Sequence, residues 1–101
     1  MATEERKIVL TKLAHAQVSE IHDELSQVSS EDAEAFINDF LDIVFEEIKY
    51  FPFQFEKCEG MRSQGGDYRI GSIYGDYRVI FQISSKKTLI LLIMHESELP
   101  F

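Results

Sequence analysis

Residues 67–83 read DYRIGSIYGDYRVIFQI, and two β-strands are written into them. A tyrosine–arginine pair occurs twice, at residues 68–69 and again at 77–78. Apolar residues alternate around each pair, and Tyr74, Gly75 and Asp76 supply turn chemistry between them. The segment therefore predicts an antiparallel hairpin. Side chains alternate across a strand, so Tyr77, Val79, Phe81 and Ile83 form the face suited to a core. Arg78, Ile80 and Gln82 take the other face. An even-length loop at Tyr74–Gly75 sets Arg69 opposite Ile80 and Gly71 opposite Arg78. The two guanidiniums would then be diagonal neighbours on the outer face, with Cβ atoms roughly 7–8 Å apart. A third apolar stretch, TLILLIMH at residues 88–95, follows the turn SSKK. An even loop there pairs Arg78 with Ile93 and brings His95 to the arginines' face.

Upstream, residues 7–10 (KIVL) make a short strand. Ala14, Val18, Ile21 and Leu25 recur at helical spacing, and a second helix carries Ala33, Phe36, Ile37, Phe40, Leu41, Val44 and Ile48 on one stripe. Ser29 or Ser30 can cap that helix, Glu31, Asp32 and Glu34 suit its positive end, and Pro52 stops it. A long connection reaches Gly65–Gly66 before the hairpin. The order strand, helix, helix, strand, strand, strand predicts an α+β fold. Two helices would pack on one face of a mainly antiparallel, four-stranded twisted sheet, as a single domain over residues 1–101.

The chain carries a net charge of −8. Residues 1–50 hold 12 acidic and four basic residues, whereas residues 51–101 hold six of each. This balance disfavours sequence-independent adhesion to nucleic acid but leaves room for one local phosphate site in the second half. Cys58 is the only cysteine, so no intrachain disulfide is available. No stretch has the length of a membrane span or the form of a signal peptide, so the reading is a cytoplasmic protein without a membrane partner. His15 and His22 lie seven apart with no third ligand in register. No metal and no cofactor is expected.

Arginine keeps its charge and forks onto phosphate oxygens, and histidine exchanges a proton near neutral pH. Arg69, Arg78 and His95 on one open face would suit an RNA phosphodiester. A second use of that face, with Leu89, Leu91 and Ile93 beside the arginines, is docking of an acidic peptide.

The pattern resembles the RelE/ParE superfamily of toxins from type II toxin–antitoxin pairs, the plasmid-stabilisation-like proteins. The resemblance runs from about Lys7 to Phe101. It is most specific in YGDYRVIFQI followed by TLILLIMH, close to the superfamily's GDYRVIYEI…ILRVGHR. It implies a cognate antitoxin and a toxin–antitoxin hetero-oligomer. RelE- and YoeB-like members cut mRNA on the ribosome, and ParE-like members poison DNA gyrase. In the RNA-cutting branch the positions of Arg69 and Arg78 contact the scissile phosphate. Glu59, in CEGMR, matches the general base by position, and His95 the general acid. Several positions depart from that branch. Glu96 and Glu98 stand where cations are frequent, Gly71 where RelE has a lysine, and Phe101 near a tyrosine position. The resemblance is read as a ribosome-dependent mRNA endoribonuclease, whose partners would be ribosome and mRNA. The alternatives are a ParE-like gyrase poison and a weakened toxin that serves only as an antitoxin-binding module.

Overall fold

The computed structural model describes residues 6–100, apart from the side chains of residues 62–64. Strand β1 (Lys7–Leu10) leads into helices α1 (Lys12–Val28) and α2 (Ser30–Asp42). Thr11 caps α1 by accepting the Ala14 N–H at 3.1 Å, and Ser29 caps α2 by accepting the Asp32 N–H at 3.2 Å. Each hydroxyl satisfies one of the donors that a helix start leaves unpaired. A wider, π-helical turn (Ile43–Ile48) extends α2 toward Pro52. After a short 3-10 turn (Pro52–Gln54) come β2 (Glu56–Lys57), a second 3-10 turn (Glu59–Gln64), β3 (Asp67–Ile73), β4 (Tyr77–Ile83) and β5 (Lys87–His95). A last turn spans Glu96–Glu98.

The strands form one sheet in the order β1-β5-β4-β3-β2, five strands where the sequence predicts four. The additional strand is β2, which pairs only Glu56 and Lys57 with β3. Two residues are too few to show a period of two, so the sequence carries no signal for it. β1 runs parallel to β5, and the remaining pairs are antiparallel. Both helices cover one sheet face. Phe36, Val44, Ile48, Ile73, Val79, Phe81, Ile90 and Ile93 are fully buried there. Burying a side chain of this size contributes roughly 1.5–3 kcal/mol, so these residues dominate the stability of the domain. Edge-on ring contacts join the layers, with Phe36–Tyr77 centroids 5.1 Å apart and Phe55–Phe81 centroids 5.3 Å apart.

Both hairpin registers differ from the even-loop reading near Arg78. Ile73 pairs with Tyr77, leaving three loop residues, Tyr74, Gly75 and Asp76. Tyr74 takes φ +48° and Gly75 φ +78°. A non-glycine residue in this left-handed region needs local support. Helix α2 supplies it: Asp39 accepts the Tyr74 N–H at 2.6 Å, and Asp32 accepts the Tyr74 hydroxyl at 2.7 Å. The odd loop sets Arg69 opposite Phe81 instead of Ile80, turning it toward the helical side.

The second hairpin begins as expected, with Ile83 paired to Thr88 across a four-residue turn. An extra residue, Leu91, then forms a bulge opposite the Ile80–Phe81 step. Beyond it Arg78 pairs with Met94 rather than Ile93, and Tyr77 pairs with His95. The bulge turns Ile93 into the core and carries His95 to the side opposite Arg78.

Candidate functional site

The sheet face away from α1 and α2 carries three cross-strand rows. Tyr68, Gln82 and Leu89 form the first, Ile70, Ile80 and Leu92 the second, and Ser72, Arg78 and Met94 the third. The first row lies beside Cys58, whose N–H donates to the Tyr68 carbonyl at 2.8 Å. Cys58, Glu59, Met61 and Tyr68 help line a recess of about 180 Å³ there. Burial pushes the Cys58 thiol above its ordinary value, which disfavours the thiolate. Ile80 is fully buried in the second row. The third row is the open end of the face, and Arg78 is its only charged member.

Arg78 is held in place. Its Nη2 donates to Glu96 at 2.6 Å, and its Nη1 donates to the Gly75 carbonyl at 2.6 Å and the Tyr77 carbonyl at 3.1 Å. Arg69 is held more completely. Its Nε and Nη2 grip Asp67 at 2.7 and 3.2 Å, while Nη1 reaches the carbonyls of Phe55 at 2.8 Å and Phe53 at 3.3 Å. The hydrogen bond and charge of Arg69 hold the Asp67 carboxyl below the usual carboxylate range. The two residues stand at i and i+2 on a strand and therefore face the same way, so this pair is legible in the sequence.

His95 meets neither arginine. Its ring stands edge-on to Tyr77 with centroids 5.4 Å apart. Its Nδ1 accepts the Ser97 N–H at 3.1 Å and lies 2.8 Å from the Ser97 hydroxyl, so it caps the Glu96–Glu98 turn. Burial, followed by the charges of Glu24, Asp76 and Glu98, raises the Tyr77 phenol above its ordinary value. Glu59 lies near the first row, whose Gln82 is four residues along β4 from Arg78, a spacing of roughly 13 Å. The shared phosphate site expected of Arg69, Arg78 and His95 is therefore not assembled. Two changes of register turn Arg69 and His95 to the helical side and leave Arg78 alone on the outer face, and carboxylates occupy both arginines. Leu91 and Ile93 likewise leave the expected peptide-docking strip, one into the bulge and the other into the core. The Arg62 side chain and Phe101 lie outside the described residues. Among the described residues, no group of three His, Cys, Asp or Glu side chains could hold a metal ion. Also among them, no helix is long and apolar enough to cross a membrane.

A hairpin whose apolar face packs under two helices, with a parallel N-terminal strand beside the last strand, is a specific arrangement. The family model described as ParE toxin of type II toxin-antitoxin system, parDE, matches residues 8–100. The chain belongs to this family. A solved structure titled as the chromosomal ParDE TA system from P. aeruginosa shares the fold, with a TM-score of 0.69 and 18% identity. The alignment covers 90% of this chain and 96% of that one. No curated protein sequence matches. Membership in the ParE toxin family makes this chain the toxin member of a type II pair, whose other member is an antitoxin. Glu96, one of the departures from the RNA-cutting pattern, is the partner of Arg78.

Proposed function

We propose that this chain is a DNA gyrase poison held inactive by a protein antitoxin. The observation that carries the reading is the match to the ParE toxin family over residues 8–100. The geometry supports it from the other direction. Cleaving a phosphodiester by acid–base catalysis requires a base, an acid and a cation within hydrogen-bond reach of one phosphate. Here Arg78 and His95 lie on opposite sides of the sheet, and Arg69 spends its donors on Asp67 and two carbonyls. A poison that traps another enzyme's DNA intermediate needs a binding surface and no catalytic set of its own. The open end of the sheet face around Arg78, Met94 and the Glu96–Glu98 turn is suited to that role.

The test incubates purified protein with gyrase, ATP and supercoiled plasmid, followed by a denaturing quench. Trapped double-strand breaks should appear as linear plasmid, and Arg78→Glu should reduce them. Messenger RNA ends mapped after induction should show no codon-phased cleavage. Intact gyrase activity, with codon-phased cleavage lost in Arg78→Ala and His95→Ala, establishes the ribosome-dependent nuclease instead. Normal growth and intact gyrase, with antitoxin binding retained, establishes the weakened toxin.

A further inference from the structure

The last strand carries no internal mark of which face belongs inside. Leu89, Ile90, Leu91, Leu92, Ile93 and Met94 are all apolar. A one-residue slip normally drives polar side chains into the core, but here it exchanges apolar for apolar. Ile93 is fully buried, and Leu92 and Met94 are half-buried on the outer face. Without the Leu91 bulge, Leu92 and Met94 would take the helical side and Ile93 would stand opposite Arg78. Side-chain burial therefore hardly distinguishes the bulged register from a straight one. Backbone contacts do. β1 reaches only as far as Ile90 along β5, and past that point α1 takes its place with two side chains. The Thr11 hydroxyl lies 3.0 Å from the Ile90 carbonyl and 3.2 Å from the Leu91 carbonyl. In a regular strand successive carbonyls face opposite sides, so this contact belongs to the bulge. Gln17 Oε1 accepts the Ile93 N–H at 2.8 Å. In a straight register that N–H would turn toward β4, away from Gln17.

We propose that β5 beyond Ile90 has two registers and that Gln17 of α1 selects the bulged one. In that register Met94 pairs with Arg78, and His95 lies behind the sheet against Tyr77. In the straight register Ile93 pairs with Arg78, and His95 reaches the outer face, leaving Tyr77 and the Ser97 N–H that it caps. An acceptor on the helical layer thereby decides which side chains surround Arg78 on the opposite face. Gln17 acts through the Ile93 amide and is a positioning residue. The bonds from Glu96 to Asp76 and Arg78 also belong to the bulged register. They lie at the exposed end of the strand, where water can replace them, whereas the Gln17 bond joins a half-buried side chain to a buried residue. A hydrogen bond left unmade in the second setting is the more costly. The inference stands whichever target the toxin poisons.

The test uses the isotopically labelled full chain, with cross-strand NOEs and chemical-exchange saturation transfer read at residues 91–95. Gln17→Met removes the acceptor at nearly constant volume. The straight register should rise up to about tenfold over wild type. NOEs from Ile93 to Arg78 should then appear beside those from Met94 to Arg78, and the His95 ring should lose the ring-current shift of Tyr77. Gln17→Glu keeps an oxygen acceptor and should retain the wild-type register. Val18→Ala loosens the packing of α1 without touching the acceptor and should retain it too. Circular dichroism checks that each variant folds. Should Gln17→Met fail to fold, exchange in the wild-type protein decides: its minor state should keep strand-like shifts, with His95 free of the Tyr77 ring current. Three results overturn the proposal: Arg78 contacts with Met94 alone and no exchange, a minor state with random-coil shifts, which would mean fraying, or an equal change of register in Gln17→Glu or Val18→Ala.

Discussion

The two hairpins share β4 and end in opposite ways. The β3–β4 turn has three residues and is drawn onto α2 by Asp32 and Asp39, which hold Tyr74 in a left-handed conformation. The β4–β5 turn has four residues and closes on itself, with Ser84 donating to the Lys87 carbonyl at 3.0 Å. The first turn is surrounded by acid, with Asp32, Asp39 and Asp76 near it. The second carries Lys86 and Lys87, and Arg6 donates to the Ser84 carbonyl. One hairpin takes its register from a tertiary contact, and the other from its own turn until the Leu91 bulge intervenes. The lesson is one of parity. A single added residue in a loop or a strand moves every following side chain to the opposite face. Two such additions suffice to take Arg69 and His95 off the face that carries Arg78.

The comparison breaks most severely if the strand common to both hairpins is emptied. Phe81→Ala should cost about 3–5 kcal/mol by leaving a cavity under the helices. Denaturant unfolding measures the loss. Amide exchange should rise in both hairpins together, and a rise in only one would mean that they are not a single cooperative unit. Asp39→Ala removes the carboxylate that holds Tyr74 and should cost about 2 kcal/mol, since a charged acceptor is lost from a strained turn. Exchange should rise first at the β3–β4 turn and leave the β4–β5 turn protected. Equal exposure of both turns would contradict the distinction between a borrowed register and a local one.

Gly71→Ala probes the middle of β3. An added Cβ would lie 2.8 and 2.9 Å from ring atoms of Phe55. The half-buried ring can move aside, so the cost should be about 1 kcal/mol. Loss of the Phe55–Phe81 contact should be visible in aromatic NMR shifts. The smallest effect belongs to Asp67→Asn. The folded-state value of Asp67 lies below that of the unfolded chain, about 3.9. Its contribution is therefore present above the unfolded value and fades as the pH falls through the folded one. The stability gap between wild type and variant should be about 1 kcal/mol or less at neutral pH and should close as the pH falls through the folded-state value. A gap that persists in acid would assign the contribution to packing rather than charge.

Much of this architecture was readable from residue order. Helical spacing from Ala14 to Leu25 and from Ala33 to Ile48, serine and threonine caps, and alternation from Tyr77 to Ile83 each report a local preference. Those preferences act over one or two turns of chain, so they survive without knowledge of the fold. The resemblance carried by YGDYRVIFQI reached the right superfamily, while the choice of the RNA-cutting branch leaned on a face shared by Arg69, Arg78 and His95. That face depended on loop lengths, and nothing local reported them. Tyr74 has no intrinsic reason to adopt a positive φ, and Leu91 looks like any other strand leucine.

The amino-acid order by itself determined the helices, the three long strands, the core stripe and the acid-rich first half, because each follows from short-range periodicity or composition. Only the tertiary structure decided which charges meet. Two carboxylates on α2 and one surplus residue in β5 choose the pairing, through contacts between segments distant along the chain. Arg78 is thereby matched to Glu96 and His95 to Tyr77 and Ser97, whereas the Arg69–Asp67 pair follows from alternation along one strand.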